Sequence, residues 1–115
     1  MAELVPEKGD LVYLNFSPQA GSEQAGHRPA IVLSPELFNS WKFAIVCPIT
    51  NQSKNYPFEV PIPRGLAISG VILTDQVRSI DWRVRGAVVK DHVPDIITTK
   101  CLQLINTFLS FDKES

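Results

Sequence analysis

Between Gly21 and Pro29 the sequence gathers a carboxylate (Glu23), an amide (Gln24), an imidazole (His27) and a guanidinium (Arg28), punctuated by Gly21 and Gly26. The apolar run Ala30-Ile31-Val32-Leu33 follows at once. A polar loop that passes straight into a buried strand can hold a charged side chain at a fixed place. Proline tolerates the first position of a strand, so Pro29 sets Arg28 at the strand's mouth. The planar guanidinium stays charged and matches an oxyanion through two parallel hydrogen bonds; the alternative for Arg28 is a structural salt bridge. Imidazole titrates near neutrality and suits proton transfer, although a loop histidine is more often only solvated. Two further polar groups end apolar runs. Thr50 follows Cys47-Pro48-Ile49, and its hydroxyl can bond an anion or cap a turn. Asp75-Gln76 follows Gly70–Leu73; the aspartate can take a proton, orient Arg28 or cap a turn, and the glutamine can both donate and accept.

Other chemistries find no support. His27 and His92 are far apart, and no HExxH, CxxC or paired-histidine spacing occurs, so metal ligation is not expected. There is no Walker loop and no GxGxxG. Cys47 falls in an apolar strand and Cys101 on the apolar face of a helix, surroundings that raise a thiol's pKa and quench its nucleophilicity. What remains is acid–base and electrostatic chemistry without cofactor or metal.

The elements that must position these groups are mostly short strands. Residues 10–16 read as a strand, and loop 17–27 is long enough to suggest function. Ala30–Leu33 is the second strand, ended by Ser34-Pro35, and Glu36–Ser40 a turn or one helical turn. Trp41–Cys47 is the third strand, with Pro48 closing or bending it. Phe58–Ile62 alternates, but Pro61 and Pro63 make it an edge. Gly70–Leu73, Arg78–Trp82 and Arg85–Lys90 are further strands. The period then changes: Ile97, Cys101, Leu104, Ile105 and Phe108 fall on one face of an amphipathic helix. Pro94 suits its first position and Asp95 the positive end of its dipole. The tail from Phe111 to Ser115 reads as frayed. Many short strands and one terminal helix predict a small twisted barrel with the helix packed against it.

The chain of 115 residues, 44% hydrophobic and 20% charged, predicts one domain with a real core over 1–115. A net charge of −1 argues against coating nucleic acid by bulk charge, though Arg28, Lys54, Arg64, Arg78, Arg83, Arg85 and Lys90 can still line a local groove. Two cysteines without a CxxC partner read as buried thiols in a reducing compartment. No signal layout and no membrane-length apolar run is visible, so a cytoplasmic, membrane-free protein is expected.

Four blocks, in order, resemble the MazF/PemK/Kid family of ribonuclease toxins from bacterial toxin–antitoxin pairs: Gly9-Asp10-Leu11-Val12, the 21–29 loop, Pro48-Ile49-Thr50, and Thr74-Asp75-Gln76-Val77-Arg78-Ser79-Ile80. Together they cover nearly the whole chain, which is most similar to the MazF branch. The resemblance implies an SH3-like β-barrel with a C-terminal helix. It also implies a homodimer that cuts single-stranded mRNA at a short sequence without metal, silenced by a MazE-like antitoxin segment. RNA brings its own nucleophile: a 2′-hydroxyl attacks the adjacent phosphorus and expels the 5′-oxygen, leaving a 2′,3′-cyclic phosphate. The protein must take a proton, neutralise charge on the phosphoryl oxygens and protonate the leaving oxygen.

On that reading the catalytic candidates are Arg28, Thr50, Glu23 and Asp75, with a threonine at the place of Thr50 working with the arginine. Gln24, His27, Gln76, Lys54, Arg78 and Arg85 are the candidate RNA contacts, and Trp82, Tyr56 and Phe16 the candidate stacking platforms. In some relatives an aspartate at the place of Asp75 is proposed as the base, partnered by an arginine and a histidine; Leu73 and Ser22 stand in those positions here. The sequence therefore resembles the subgroup that relies on the loop glutamate, and the base stays open among Glu23, Asp75 and other residues such as His27. The alternatives are a topoisomerase poison of the same fold, disfavoured because residues 111–115 contain no tryptophan, and a plain binding barrel.

Overall fold

The computed structural model describes residues 4–17 and 26–110. Strands β1 (Asp10–Asn15), β2 (His27–Val32) and β3 (Phe43–Thr50) form the centre. Around them lie β4 (Glu59–Pro61), β5 (Val71–Leu73), β6 (Arg78–Asp81) and β7 (Val88–His92). Every pairing is antiparallel, and the strand order is β4-β5-β3-β2-β1-β7, with β6 also on β3. A single helical turn, α1 (Glu36–Asn39), links β2 to β3, and helix α2 (Asp95–Leu109) ends the fold. This is the expected small barrel-like architecture with a C-terminal helix, but the sheet is not closed: among the described residues no pairing joins its end strands β4 and β7.

The central strands are buried on both faces, which is why they read as continuous apolar runs rather than as alternation. One face, with Leu11, Ile31, Cys47, Ile49 and Ile72, packs against Ile97, Cys101 and Ile105 of α2, with Leu104 and Phe108 partly buried beside them. The opposite face holds a second core of Val12, Leu14, Phe16, Ala30, Val32, Ala44, Val46, Ile80 and Trp82. The spacing that predicted α2 thus marks its packed face. Both cysteines are free and buried; burial pushes the Cys101 thiol up to about 12 and Cys47 higher still.

Several boundaries differ from the sequence reading. β2 begins at His27, so Arg28 and Pro29 lie within it; the ladder to β3 starts at Ala30, and the missing N–H of Pro29 leaves no gap there. Pro48 is buried inside β3 rather than ending it. It sits where the outer neighbour of β3 changes, from β6 (last pair Val46↔Arg78) to β5 (first pair Ile49↔Ile72). No ladder bond is asked of it on that side. The last strand starts at Val88, not Arg85, because Arg85 and Gly86 donate to Asp81 and Arg83 carbonyls at 3.0 and 3.1 Å in a turn, with Gly86 at φ +66°. Pro94, extended at φ −60° and ψ 149°, caps α2 instead of occupying its first turn. Residues 111–115, read as frayed, lie outside the described residues.

Candidate functional site

The site is assembled at the end of β3. Thr50 pairs with Val71 on β5, and Val71 pairs with Pro61 on β4. On its other side β3 pairs with β2 through Val32↔Val46, Ile31↔Cys47 and Ala30↔Pro48; Arg28 on β2 and Thr50 on β3 each lie two residues beyond the last of these pairs. Side chains alternate along a strand. Arg28 therefore shares a face with Ala30 and Val32, and Thr50 with Val46 and Ala44, all on the side away from α2. Arg28 is exposed there and Thr50 half-buried.

The Thr50 hydroxyl oxygen accepts the Gln52 N–H at 3.1 Å, which leaves its own proton to donate. Its backbone is fixed by close approach. Gly70, at φ +122°, lies so near that a Cβ on it would come within 2.4 Å of the Thr50 carbonyl oxygen. Beside Thr50 opens a cleft of about 500 Å³, its solvent-open part included, lined by Gln52, Lys54, Tyr56, Glu59, Leu73, Asp75 and Gln76. Asp75 and Gln76 occupy a 3-10 turn after β5. Thr74, fully buried, anchors that turn: its N–H and hydroxyl both donate to the Phe58 carbonyl, at 3.2 and 2.5 Å. Asp75 stands exposed at the cleft.

The structure thus brings Thr50, Asp75, Gln76 and Lys54 into one cleft, and Arg28 lies on the same face of the sheet, two residues beyond the last β2–β3 pair. Glu23 and Gln24 lie outside the described residues. His27 follows Arg28 in type but not in direction: it projects to the opposite face and stacks on Tyr13 with centroids 5.8 Å apart. Arg78 lies over the Phe16 ring at 5.7 Å. Arg85 donates through Nη1 to the Asn15 carbonyl at 3.1 Å and to that of Ser17. It holds the mouth of the 17–26 loop, which is also tied by Phe16 N–H to Gly26 O at 2.8 Å and Gly26 N–H to Ser17 Oγ at 3.0 Å. Of the three aromatics, Phe16 and Trp82 are core residues at 1% and 3% exposure, while Tyr56, 53% exposed, lines the cleft. Among the described residues no cluster of three metal-ligating side chains occurs.

Sequence reasoning missed Glu59, whose oxygens take the Ser53 hydroxyl at 2.6 Å and the Lys54 N–H at 2.9 Å. These bonds, the Ser53 hydroxyl first, hold its carboxyl below the usual range. The signal was faint: a carboxylate on an alternating edge strand after a Ser-Lys-Asn turn. Gly70 was missed too, being read only as a strand residue.

A family model described as "PemK-like, MazF-like toxin of type II toxin-antitoxin system" matches residues 7–109. The chain belongs to this family. Among curated relatives, the endoribonuclease toxin MazF of Escherichia coli K12 is 52% identical over 94 residues, spanning 81% of this chain and 84% of that one. The endoribonuclease PemK of Escherichia coli is 32% identical over 90% of this chain and 82% of its own. The crystal structure of MazF from Deinococcus radiodurans superposes with a TM-score of 0.90 at 44% identity, covering 95% of this chain and all of that one. A MazE–MazF crystal structure from the same organism gives 0.85 at 43% identity, over 96% of this chain and all of the other. The PemK/MazF-like assignment agrees with the open, helix-backed sheet. No helix among the described residues is long and apolar enough to cross a membrane.

Proposed function

We propose that this toxin cuts single-stranded mRNA at a short sequence by in-line attack of a 2′-hydroxyl, without a metal ion. That it is an RNA-cleaving toxin of a toxin–antitoxin pair follows from its family and from the endoribonuclease relatives that it matches over most of their length. The finer reading is supported by one observation: Thr50, at the end of β3, lines a polar cleft with Lys54, Asp75 and Gln76, on the face of the sheet that also carries Arg28. In the reaction the 2′-oxygen bonds to phosphorus as its proton passes to a carboxylate, Glu23 or Asp75. The bond from phosphorus to the 5′-oxygen breaks, and that oxygen gains a proton. A 2′,3′-cyclic phosphate and a 5′-hydroxyl remain. Arg28 offsets charge on the phosphoryl oxygens and the Thr50 hydroxyl donates to one of them, interactions that strengthen as charge accumulates. Arg28 can also donate to the leaving oxygen.

Lys54 and Gln76 meet the flanking nucleotides, Gln76 through base edges and Lys54 through phosphate, and Tyr56 offers an exposed ring for stacking. Arg78 and Gln24 supply more distant contacts along the strand, whereas His27 on the opposite face and Arg85 in its clasp on the Asn15 and Ser17 carbonyls take no part in this contact. The toxin works as a cytoplasmic homodimer and is silenced by a MazE-like antitoxin segment laid over the same cleft. DNA lacks the attacking hydroxyl and is spared.

The test is digestion of a long single-stranded RNA by purified protein in EDTA, with ends mapped and a matched RNA carrying 2′-deoxy substitution at the cut. Discrete cuts that vanish with the 2′-hydroxyl are expected. Cutting that needs a divalent ion, or survives 2′-deoxy substitution, overturns the mechanism. No cutting at all would turn attention to topoisomerase binding.

A further inference from the structure

Glu59 sits in the cleft, yet its carboxylate is committed to the protein. The Ser53 hydroxyl donates to Oε1 at 2.6 Å and the Lys54 backbone N–H to Oε2 at 2.9 Å. Glu59 itself stands on the frame of the fold, paired with Leu73 two positions along β5 from the partner of Thr50. The segment it holds is of another kind. Residues 51–57 are all exposed and belong to no strand, so apolar packing contributes little to their shape. Their shape comes instead from local bonds: Asn55 in the left-handed region at φ +57°, its N–H donating to Ser53 Oγ at 3.2 Å, and Glu59 N–H donating to Tyr56 O at 3.2 Å. This segment presents Gln52, Lys54 and Tyr56 to the cleft beside Thr50.

We infer that Glu59 is a specificity-positioning residue: its carboxylate fixes the cleft wall formed by residues 52–56, and so sets which base is accepted next to the cut bond. The inference rests on the reading that the Thr50–Asp75 cleft is the RNA site. Glu59 does not act on the phosphate. Its loss therefore acts on binding and choice of sequence, while the bond-breaking step at Arg28 and Thr50 proceeds. Discrimination in a polar site depends on donors and acceptors standing where the correct base needs them, and a displaced wall forfeits it.

The experiment compares wild type, Glu59→Ala, Glu59→Gln and Ser53→Ala on the preferred RNA and on RNAs altered at one flanking base, with melting curves alongside. For Glu59→Ala, discrimination between matched and altered RNA should fall about tenfold, with KM raised and kcat within about threefold. Glu59→Gln should recover most of the discrimination. Its amide oxygen can accept from Lys54 N–H while its NH2 donates to the serine oxygen. Ser53→Ala removes one of the two bonds without touching β4, so it should shift discrimination in the same direction by less, and it serves as the test should Glu59→Ala fail to fold. A uniform loss on all RNAs, or a lowered melting temperature with discrimination unchanged, overturns the inference and leaves Glu59 a purely structural residue. Arg28→Ala separates the two levels. If it cuts like wild type, the site reading itself fails; if it is inactive while Glu59→Ala keeps full discrimination, only the role of Glu59 fails.

Discussion

β3 carries a polar cluster at each end, and the two are built on opposite terms. At its start, Ser34 and Asn39 are buried, and their groups are spent on one another. Asn39 Nδ2 donates to the Pro6 and Ser34 carbonyls at 2.8 and 2.9 Å, and Ser34 Oγ donates to Asn39 Oδ1 while accepting Ile45 N–H at 2.8 Å. Trp82 Nε1 closes the set on the Asn39 carbonyl at 2.7 Å. At its far end, Thr50, Asp75 and Gln76 face an open cleft. There the hidden anchors, Thr74 and the close approach of Gly70, hold the backbone, and the side chains beyond them point outward. A satisfied buried network fixes one structure. Polar side chains that line an open cleft on a rigid frame are instead within reach of a bound molecule. Residue type does not separate the two clusters; the direction of the hydrogen bonds does.

The comparison breaks most visibly at Arg28. Arg28→Ala should lower RNA cleavage by about 10³-fold, the scale of losing a charge-stabilising group in a transition state. Because Arg28 is exposed, stability should change by about 1 kcal/mol or less. Cleavage rates beside a thermal melt measure both. Asn39→Ala should do the reverse. It strands the Pro6 and Ser34 carbonyls and the Ser34 hydroxyl inside the core, and unsatisfied buried groups cost about 1–3 kcal/mol each, so a loss of roughly 3 kcal/mol is expected by urea unfolding. Activity per folded molecule should hold. If Asn39→Ala lowered kcat at full occupancy of the folded state, the two ends of β3 would be coupled and the division would fail.

How far each end was legible in the sequence follows from the same contrast. Apolar runs and the spacing of Ile97, Cys101 and Ile105 announce burial directly, so the double-faced core and α2 were readable. Arg28, Thr50 and Asp75 were readable as chemistry because each ends or borders an apolar run. Their alignment was not, since it depends on the β2–β3 and β3–β5 registers. That His27 and Arg28, adjacent in the chain, project to opposite faces was not legible either, since it depends on β2 beginning at His27. Arg85 was legible as a charge but not as the clasp on the Asn15 and Ser17 carbonyls. Glu59 and Gly70 stayed hidden because their work is done on backbone atoms of other segments.

Gly70 is where the two kinds of loss should meet, at smaller size. Its φ of +122° is a conformation that side-chain-bearing residues rarely adopt, and a Cβ there would stand 2.4 Å from Thr50 O, 2.9 Å from Thr50 C and 3.0 Å from Asn51 Oδ1. The first two contacts are backbone, so no rotamer change relieves them, and the end of β3 must move. Gly70→Ala should therefore cost about 2 kcal/mol of stability, within the range for forced backbone strain. With Thr50 acting as proposed, it should also lower cleavage about tenfold, since displacing such a group by a fraction of an ångström weakens transition-state contacts. The decisive readout is the pairing of the two effects. A variant as unstable as predicted but fully active would mean that Thr50 keeps its place while the 67–70 segment yields, and Gly70 would then belong with Asn39 on the structural side. A variant that loses activity at unchanged stability would mean that the strain is absorbed at Thr50, where the frame of β3 meets the proposed chemistry.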